Sequence, residues 1–166
     1  MSRTLFPKIS AYHQEWLDVG DGHQLYLEQS GNPKGIPVLY LHGGPGGGSS
    51  ENHRRYFDPN LYHIILFDQR GCGQSNPAPS VENNTTEALV ADIEKIREHL
   101  DIKQWLIAGG SWGTTLAMVY GISYPEKVLG FILRGLFLGS QAEYDWLYRP
   151  AGAQRFFPEY YQEFCK

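Results

Sequence analysis

The alternation of apolar and polar positions near the amino terminus predicts a β-hairpin. Glu15–Val19 and Gln24–Glu28 alternate on either side of Gly20-Asp21-Gly22, a turn sequence suited to positive φ. Two short and nearly continuous apolar runs follow, at Pro37–His42 and His63–Phe67. Such runs are typical of strands that are buried on both faces of a parallel sheet.

Helical and strand patterns alternate in the central part of the chain. Asn84-Thr85-Thr86-Glu87 forms a capping-box pattern with Asn84 as the N-cap, and it predicts the start of a helix over residues 85–100. The apolar positions behind it recur at helical spacing: Leu89, Ile93, Ile96 and Leu100. Two further strands are predicted at Trp105–Ala108 and Val128–Leu133, with a helix over Thr114–Ser123 between them. The alternation over residues 37–134 predicts right-handed βαβ units and an α/β fold with a mostly parallel sheet.

The composition changes after Gly139, where aromatic residues become frequent. Phe157, Tyr160, Tyr161 and Phe164 follow helical spacing and predict an amphipathic helix. We therefore expect two parts, residues 1–139 as an α/β core and residues 140–166 as the beginning of a second, helical part.

Composition and charge exclude several classes of protein. The chain has 166 residues, is 42% hydrophobic and has a formal net charge of −4, which argues against disorder and against a nucleic-acid partner. No apolar stretch approaches the roughly 18 residues that span a bilayer, so no membrane association is expected. Two widely separated cysteines favour a reduced, cytoplasmic protein. Six histidines without an i, i+4 pair predict no metal site.

The sequence Gly109-Gly110-Ser111-Trp112-Gly113 matches the nucleophile-elbow pattern Gly-x-Ser-x-Gly. It lies between a predicted strand and a predicted helix, where a sharp turn would expose the Ser111 hydroxyl at the positive end of the helix. The alternative interpretation is a glycine-rich turn that merely joins the two elements. The context favours Ser111 as a nucleophile.

A second glycine-rich sequence, His42-Gly43-Gly44-Pro45-Gly46, follows the first buried strand. In an α/β hydrolase this position supplies a backbone N–H to the oxyanion hole. An ordinary flexible turn is the alternative, whereas a phosphate-binding loop is disfavoured because no Gly-Lys-Ser/Thr follows. His42 is expected to support this loop by hydrogen bonding.

The segment Asp68–Ser75 follows the second buried strand and contains two glycines and an Asp-Gln-Arg sequence. On its own it predicts a shaped loop with a structural ion pair. Cys72 lies within it, but no recognisable motif places a base beside the thiol, so a structural role is favoured.

Together, the His42–Gly46, Asp68–Ser75 and Gly109–Gly113 motifs resemble the proline iminopeptidase family of the α/β-hydrolase fold. The resemblance covers essentially the whole chain, and residues 151–158 resemble the start of that family's helical cap. It implies release of an amino-terminal proline from peptides, without a cofactor, through an acyl-enzyme on Ser111. It further implies that the N–H groups of Trp112 and Gly44 hold the oxyanion, with Gly43 the less favoured donor.

This sequence departs from the family pattern after the elbow. No histidine follows Ser111, and no acidic residue after it stands where the resemblance would place the triad acid. We expect the triad Asp and His to be missing and the 166 residues alone to be nearly inactive. An exposed strand edge at Val128–Leu133 would favour self-association. The alternatives are another esterase or amidase of this fold, or a non-catalytic fragment that acts through an interaction surface.

Overall fold

A six-stranded mixed sheet organises the first part of the chain in the computed structural model, which describes residues 5–166. The strands are β1 (His13–Gly20), β2 (His23–Gly31), β3 (Ile36–Leu41), β4 (Tyr62–Phe67), β5 (Trp105–Ser111) and β6 (Val128–Leu136). Their order is β1-β2-β4-β3-β5-β6. Strands β3 to β6 are mutually parallel where they pair, and the β1–β2 hairpin joins them in antiparallel fashion through β2 and β4. The predicted α/β fold with its amino-terminal hairpin is confirmed.

The described residues form five α-helices. They are α1 (Glu51–Arg54), α2 (Thr86–His99), α3 (Trp112–Ser123), α4 (Gln141–Tyr148) and α5 (Pro158–Phe164). None of the helices in residues 5–166 combines the length and apolar character needed to cross a membrane.

The cap of helix α2 corrects one prediction. The N-cap is Thr85, whose hydroxyl accepts a hydrogen bond from the Ala88 N–H, and not Asn84. The amide of Asn84 instead donates to the carbonyl oxygen of Arg70 at 2.9 Å. Because this tertiary contact occupies Asn84, the helix begins one residue later than the capping-box pattern predicts.

The core lies on both faces of the parallel strands, which explains their continuous apolar runs. Alternate residues of β3 pack into different clusters, with Leu39 and Leu41 on one face and Val38 and Tyr40 on the other. The larger cluster includes buried side chains of α2 and α3, among them Ile93, Ile96, Leu116 and Tyr120. The sheet therefore fixes the positions of the loops at the carboxyl ends of β3, β4 and β5.

The chain divides into two compact units, and the second comprises Phe137–Lys166. Within it, Ser140 and Glu143 form a capping box at the start of α4. The Tyr161 hydroxyl donates a hydrogen bond to the carbonyl oxygen of Tyr148, and Trp146 packs against Phe156. Its aromatic residues thus make contacts within the unit, and the predicted amphipathic helix is present as α5.

Candidate active site

Ser111 occupies a one-residue turn between a strand and a helix. It ends β5, and Trp112 is already the first residue of α3, so the strand and the helix both extend beyond their predicted ends at Ala108 and Thr114. Ser111 has φ 54° and ψ −124°, a conformation that non-glycine residues rarely adopt and that costs about 1–3 kcal/mol. Its side chain is exposed at the N-terminus of α3, where the helix dipole is positive.

Two glycines around Ser111 are required by close backbone packing. A Cβ atom on Gly109 would lie 2.5 Å from the carbonyl oxygen of Gly113. A Cβ atom on Gly113 would overlap the carbonyl oxygen of Leu41 at the end of β3. Gly110 differs, since its nearest neighbour would be the Tyr40 hydroxyl at 3.6 Å, an ordinary contact.

The loop after β3 lies directly against this turn. A Cβ atom on Gly43 would be 2.9 Å from the carbonyl oxygen of Gly110 and 3.3 Å from the Cβ atom of Ser111. Only a residue without a side chain fits at this distance without displacing the turn. The structure thus brings the two glycine-rich motifs of the sequence together.

The orientation of the peptide group between Gly43 and Gly44 follows from its hydrogen bonds. The carbonyl oxygen of Gly43 accepts from the Gly47 N–H at 3.1 Å and lies 2.9 Å from Nδ1 of His42. This peptide bond is trans, so the N–H of Gly44 points away from the carbonyl oxygen and from those partners. Among residues 5–166, the N–H groups of Gly44 and Trp112 have no backbone acceptor.

His42 is buried and anchors the start of this loop. Its Nε2 atom accepts a hydrogen bond from the backbone N–H of Gln69 at 3.0 Å, which leaves Nδ1 to donate to the Gly43 carbonyl oxygen. Burial lowers the pKa of His42, outweighing the opposing effects of the Gly43 hydrogen bond and the Asp68 charge. The imidazole is therefore neutral at neutral pH, with both nitrogens engaged.

Asp68 forms hydrogen bonds with Ser49, which lies three residues after the glycine-rich loop His42–Gly46. Its Oδ1 atom accepts hydrogen bonds from both the backbone N–H and the hydroxyl of Ser49, each at 2.6 Å. Its Oδ2 atom accepts from the Gln74 N–H at 2.8 Å. One buried carboxylate thereby ties the glycine-rich loop to the segment after β4.

Gln69, the neighbour of Asp68, was not singled out by the sequence pattern. Its side-chain amide donates to the carbonyl oxygen of His42 at 2.9 Å and accepts from Nε1 of Trp112 at 3.0 Å. The Asp68–Ser75 motif predicts a shaped loop with a structural ion pair, and the partners of Gln69 are distant in sequence. Only its position directly after a buried strand could have signalled a role at the sheet edge.

Cys72 is buried beside the same loop. Its Sγ atom lies 3.6 Å from Nε2 of His42 and donates to the carbonyl oxygen of Gln69 at 3.1 Å. Burial, with a contribution from the Asp68 charge, raises the pKa of the thiol to about 11. The thiol is protonated at neutral pH, which makes Cys72 a poor nucleophile.

A cleft of about 690 Å³ borders the glycine-rich loop at Pro45 and Gly46 and borders α3 at Trp112. Its lining also includes Pro79, Val81 and Leu89. Across residues 5–166, no group of three or more His, Cys, Asp or Glu side chains is arranged to hold a metal ion.

Comparison with known proteins identifies the class. A sequence model of the α/β hydrolase fold matches residues 36–164 of this chain. The strand order, the one-residue turn at Ser111 and the adjoining glycine-rich loop agree with that match. The chain belongs to the α/β hydrolase family.

Relatives within that family carry a more specific name. The chain is 54% identical over 162 residues to a proline iminopeptidase from Arabidopsis thaliana, covering 98% of this chain and 42% of that protein. It is 50% identical over 153 residues to a proline iminopeptidase from Neisseria gonorrhoeae, covering 92% of this chain and 49% of that protein. The chain spans about half the length of these curated relatives.

Solved structures share the fold at lower sequence identity. A proline iminopeptidase-related protein from Thermus thermophilus superimposes with a TM-score of 0.66 at 23% identity, over 92% of this chain and 66% of that one. An epoxide hydrolase from Vigna radiata gives a TM-score of 0.65 at 24% identity, over 75% of this chain and 38% of that one. The architecture is thus shared by hydrolases of different names.

Proposed function

We propose that this chain supplies the nucleophile and the oxyanion-binding loop of a serine aminopeptidase that releases amino-terminal proline from peptides. The observation that carries the proposal is that Gly43 packs closely against the Ser111 turn, while the side chain of Ser111 is exposed at the start of α3. The relatives named proline iminopeptidase, at 50–54% identity, support the choice of substrate.

In the proposed reaction, the Ser111 hydroxyl attacks the carbonyl carbon of the amino-terminal proline and loses its proton to a base. The N–H groups of Gly44 and Trp112 stabilise the oxyanion of the tetrahedral intermediate. The base returns its proton to the leaving nitrogen as the C–N bond breaks, and the remaining peptide leaves as a free amine. Water hydrolyses the Ser111 ester, which releases proline and regenerates the hydroxyl.

The acid and base of the triad are assigned to no residue of this chain. All six histidines precede Ser111, and both ring nitrogens of His42, the one nearest the loop, are engaged in hydrogen bonds. We therefore expect the 166 residues alone to hydrolyse prolyl amides several orders of magnitude more slowly than a protein with a complete triad. The apolar cleft beside Trp112 provides surface for part of the substrate.

The proposed location is the cytoplasm. Cys72 and Cys165 are both free thiols in the part of the chain that the structure describes, and free thiols are typical of reducing compartments. No cofactor is invoked, because acyl transfer to a serine needs only a nucleophile, a base and oxyanion donors.

The test is hydrolysis of proline p-nitroanilide by the full-length product of the gene. We expect Ser111→Ala to lower kcat/KM by at least about a thousandfold, since it removes the nucleophile. Ser123→Ala is the matched control, because Ser123 is an exposed serine in the last turn of the same helix, and it should retain full activity. Unchanged hydrolysis by Ser111→Ala would refute the assignment of the nucleophile.

A second assay distinguishes a peptidase from a general esterase of the same fold. The full-length product is compared on proline p-nitroanilide and on p-nitrophenyl acetate. A higher kcat/KM for the proline substrate is expected. Preference for the acetate ester would refute the proline aminopeptidase and favour an esterase with the same nucleophile.

A further inference from the structure

The side chain of Gln69 joins the two backbone segments that flank Ser111. It lies at the carboxyl end of β4 and is only 2% exposed. Its Nε2 atom donates to the carbonyl oxygen of His42 at 2.9 Å, while its Oε1 atom accepts from Nε1 of Trp112 at 3.0 Å. Its backbone N–H makes a third bond, to Nε2 of His42 at 3.0 Å.

These bonds end next to the two proposed oxyanion donors. Trp112 itself carries one donor N–H, and fixing its indole ring restricts the first residue of α3. His42 begins the loop that carries the other donor, on Gly44. A single buried side chain therefore determines the separation between two segments that must act on the same oxygen atom.

The chemistry of the contact requires a primary amide. A carboxylate could accept from the Trp112 indole but could not donate to the His42 carbonyl oxygen, and a hydrocarbon side chain could do neither. One partner directly follows β3 and the other begins α3, so the amide bridges two different elements. The amide thus acts as a spacer of fixed length between them.

We propose that Gln69 is a positioning residue that sets the geometry of the oxyanion hole. This inference rests on the proposed function, because it needs an oxyanion formed at Ser111. Gln69 borders the cleft but is only 2% exposed, and both polar groups of its side chain bond to protein atoms, so its removal should impair stabilisation of the transition state more than binding of the ground state.

The experiment compares Gln69→Met and Gln69→Glu with wild type in the full-length product of the gene, using proline p-nitroanilide. Both substituents are close to Gln in length, and we expect kcat to fall about 10- to 100-fold with KM changed by less than about threefold. Gln104→Met is the control, since Gln104 is an exposed glutamine that also donates to a backbone carbonyl oxygen, that of Glu126, and it should retain wild-type kcat.

Trp112→Phe tests the same bond from the other side and covers the case in which a Gln69 variant fails to fold. It removes the indole N–H that donates to Gln69 but keeps an aromatic ring and the backbone N–H. We expect a loss of kcat similar to that of Gln69→Glu, and a double variant whose loss is smaller than the product of the two.

The outcomes separate this inference from the proposed function. A wild-type protein that releases no proline would overturn both. An active wild type whose Gln69 variants keep kcat within twofold, or lose activity only through KM, would overturn the positioning role alone. A loss of kcat confined to the Gln69 and Trp112 variants would support it.

Discussion

Arg70 and Asp92 form a doubly hydrogen-bonded ion pair in the interior of the first unit. Nε of Arg70 donates to Oδ2 of Asp92 at 2.6 Å, and Nη2 of Arg70 donates to Oδ1 of Asp92 at 2.9 Å. Both side chains are almost fully buried. The pair ties the segment after β4 to helix α2 next to the proposed active site, and the hydrogen bond to Asp92 raises the pKa of Arg70, so the guanidinium stays charged.

Removing the buried carboxylate should therefore destabilise the protein strongly. Asp92→Asn leaves the buried guanidinium without its principal counter-charge, and we expect the free energy of unfolding to fall by about 3–5 kcal/mol. Asp21→Asn is the matched control, because Asp21 contacts the same guanidinium at 3.0 Å from an exposed position and should change stability by less than about 1 kcal/mol. Urea unfolding of the full-length product measures both. Equal losses for the two variants would contradict the assigned difference.

The glycines of the elbow should differ sharply in their tolerance of a methyl group. Gly113→Ala places a Cβ atom on the backbone of β3, which cannot move without disturbing the sheet, and we expect destabilisation of at least about 2–3 kcal/mol. Gly110→Ala adds the same atom where the nearest neighbour is 3.6 Å away, so stability should change by less than about 1 kcal/mol. Thermal unfolding followed by circular dichroism measures the stability of both variants. If Gly110→Ala were as unstable as Gly113→Ala, close packing of the added Cβ atom would not explain the loss of stability.

Local sequence patterns were sufficient to predict most of the fold. The hairpin and the parallel strands follow from periodicity, and the clustering of the two glycine-rich motifs follows from their positions after neighbouring parallel strands. Boundaries were less accurate where tertiary contacts intervene. The predicted cap at Asn84 is wrong because the Asn84 amide donates to the Arg70 carbonyl oxygen, and β5 and α3 extend beyond their predicted ends until they meet at Ser111.

The connecting side chains of the site could not be predicted in this way. Gln69 bonds to partners 27 and 43 residues away, and Asp68 bonds to Ser49, 19 residues away. No periodicity or motif spacing specifies which atoms meet across a sheet edge. The Asp-Gln-Arg sequence indicates only that polar groups follow a strand, because the three neighbouring side chains bond to three different sets of partners.

Stability should decrease below about pH 6.5 in part because of His42. The pKa of His42 is lowered in the folded protein, mainly by burial, whereas the unfolded chain has a value near 6.5. As the pH falls through 6.5, the unfolded state takes up a proton that the folded state does not, so stability is complete above this pH and declines below it. Protonation would also remove the acceptor for the Gln69 N–H.

The melting temperature of wild type and His42→Gln, measured between pH 8 and pH 5, tests this dependence. The variant should be less stable at pH 8, because it loses hydrogen bonds, but its melting temperature should fall less steeply below pH 6.5. His53 and His63, whose pKa values are also lowered mainly by burial, would contribute the remaining slope in both proteins. Parallel profiles for wild type and variant would exclude His42 as a source of the pH dependence.

The free edge of β6 should promote association between copies of the 166-residue chain. Among the described residues, β6 pairs only with β5, and its side chains at Leu129, Ile132 and Leu136 are about half exposed or more. An unpaired strand with apolar side chains is a template for pairing with a second copy. We expect the molar mass of the 166-residue chain, measured by light scattering, to rise with protein concentration. Circular dichroism of the same sample checks that the chain is folded. Ile132→Lys should shift the chain towards the monomer, whereas Ile122→Lys, at an exposed position on helix α3 and not on the strand, should not. A constant monomer mass for wild type, or an equal effect of the two lysines, would rule out pairing through β6.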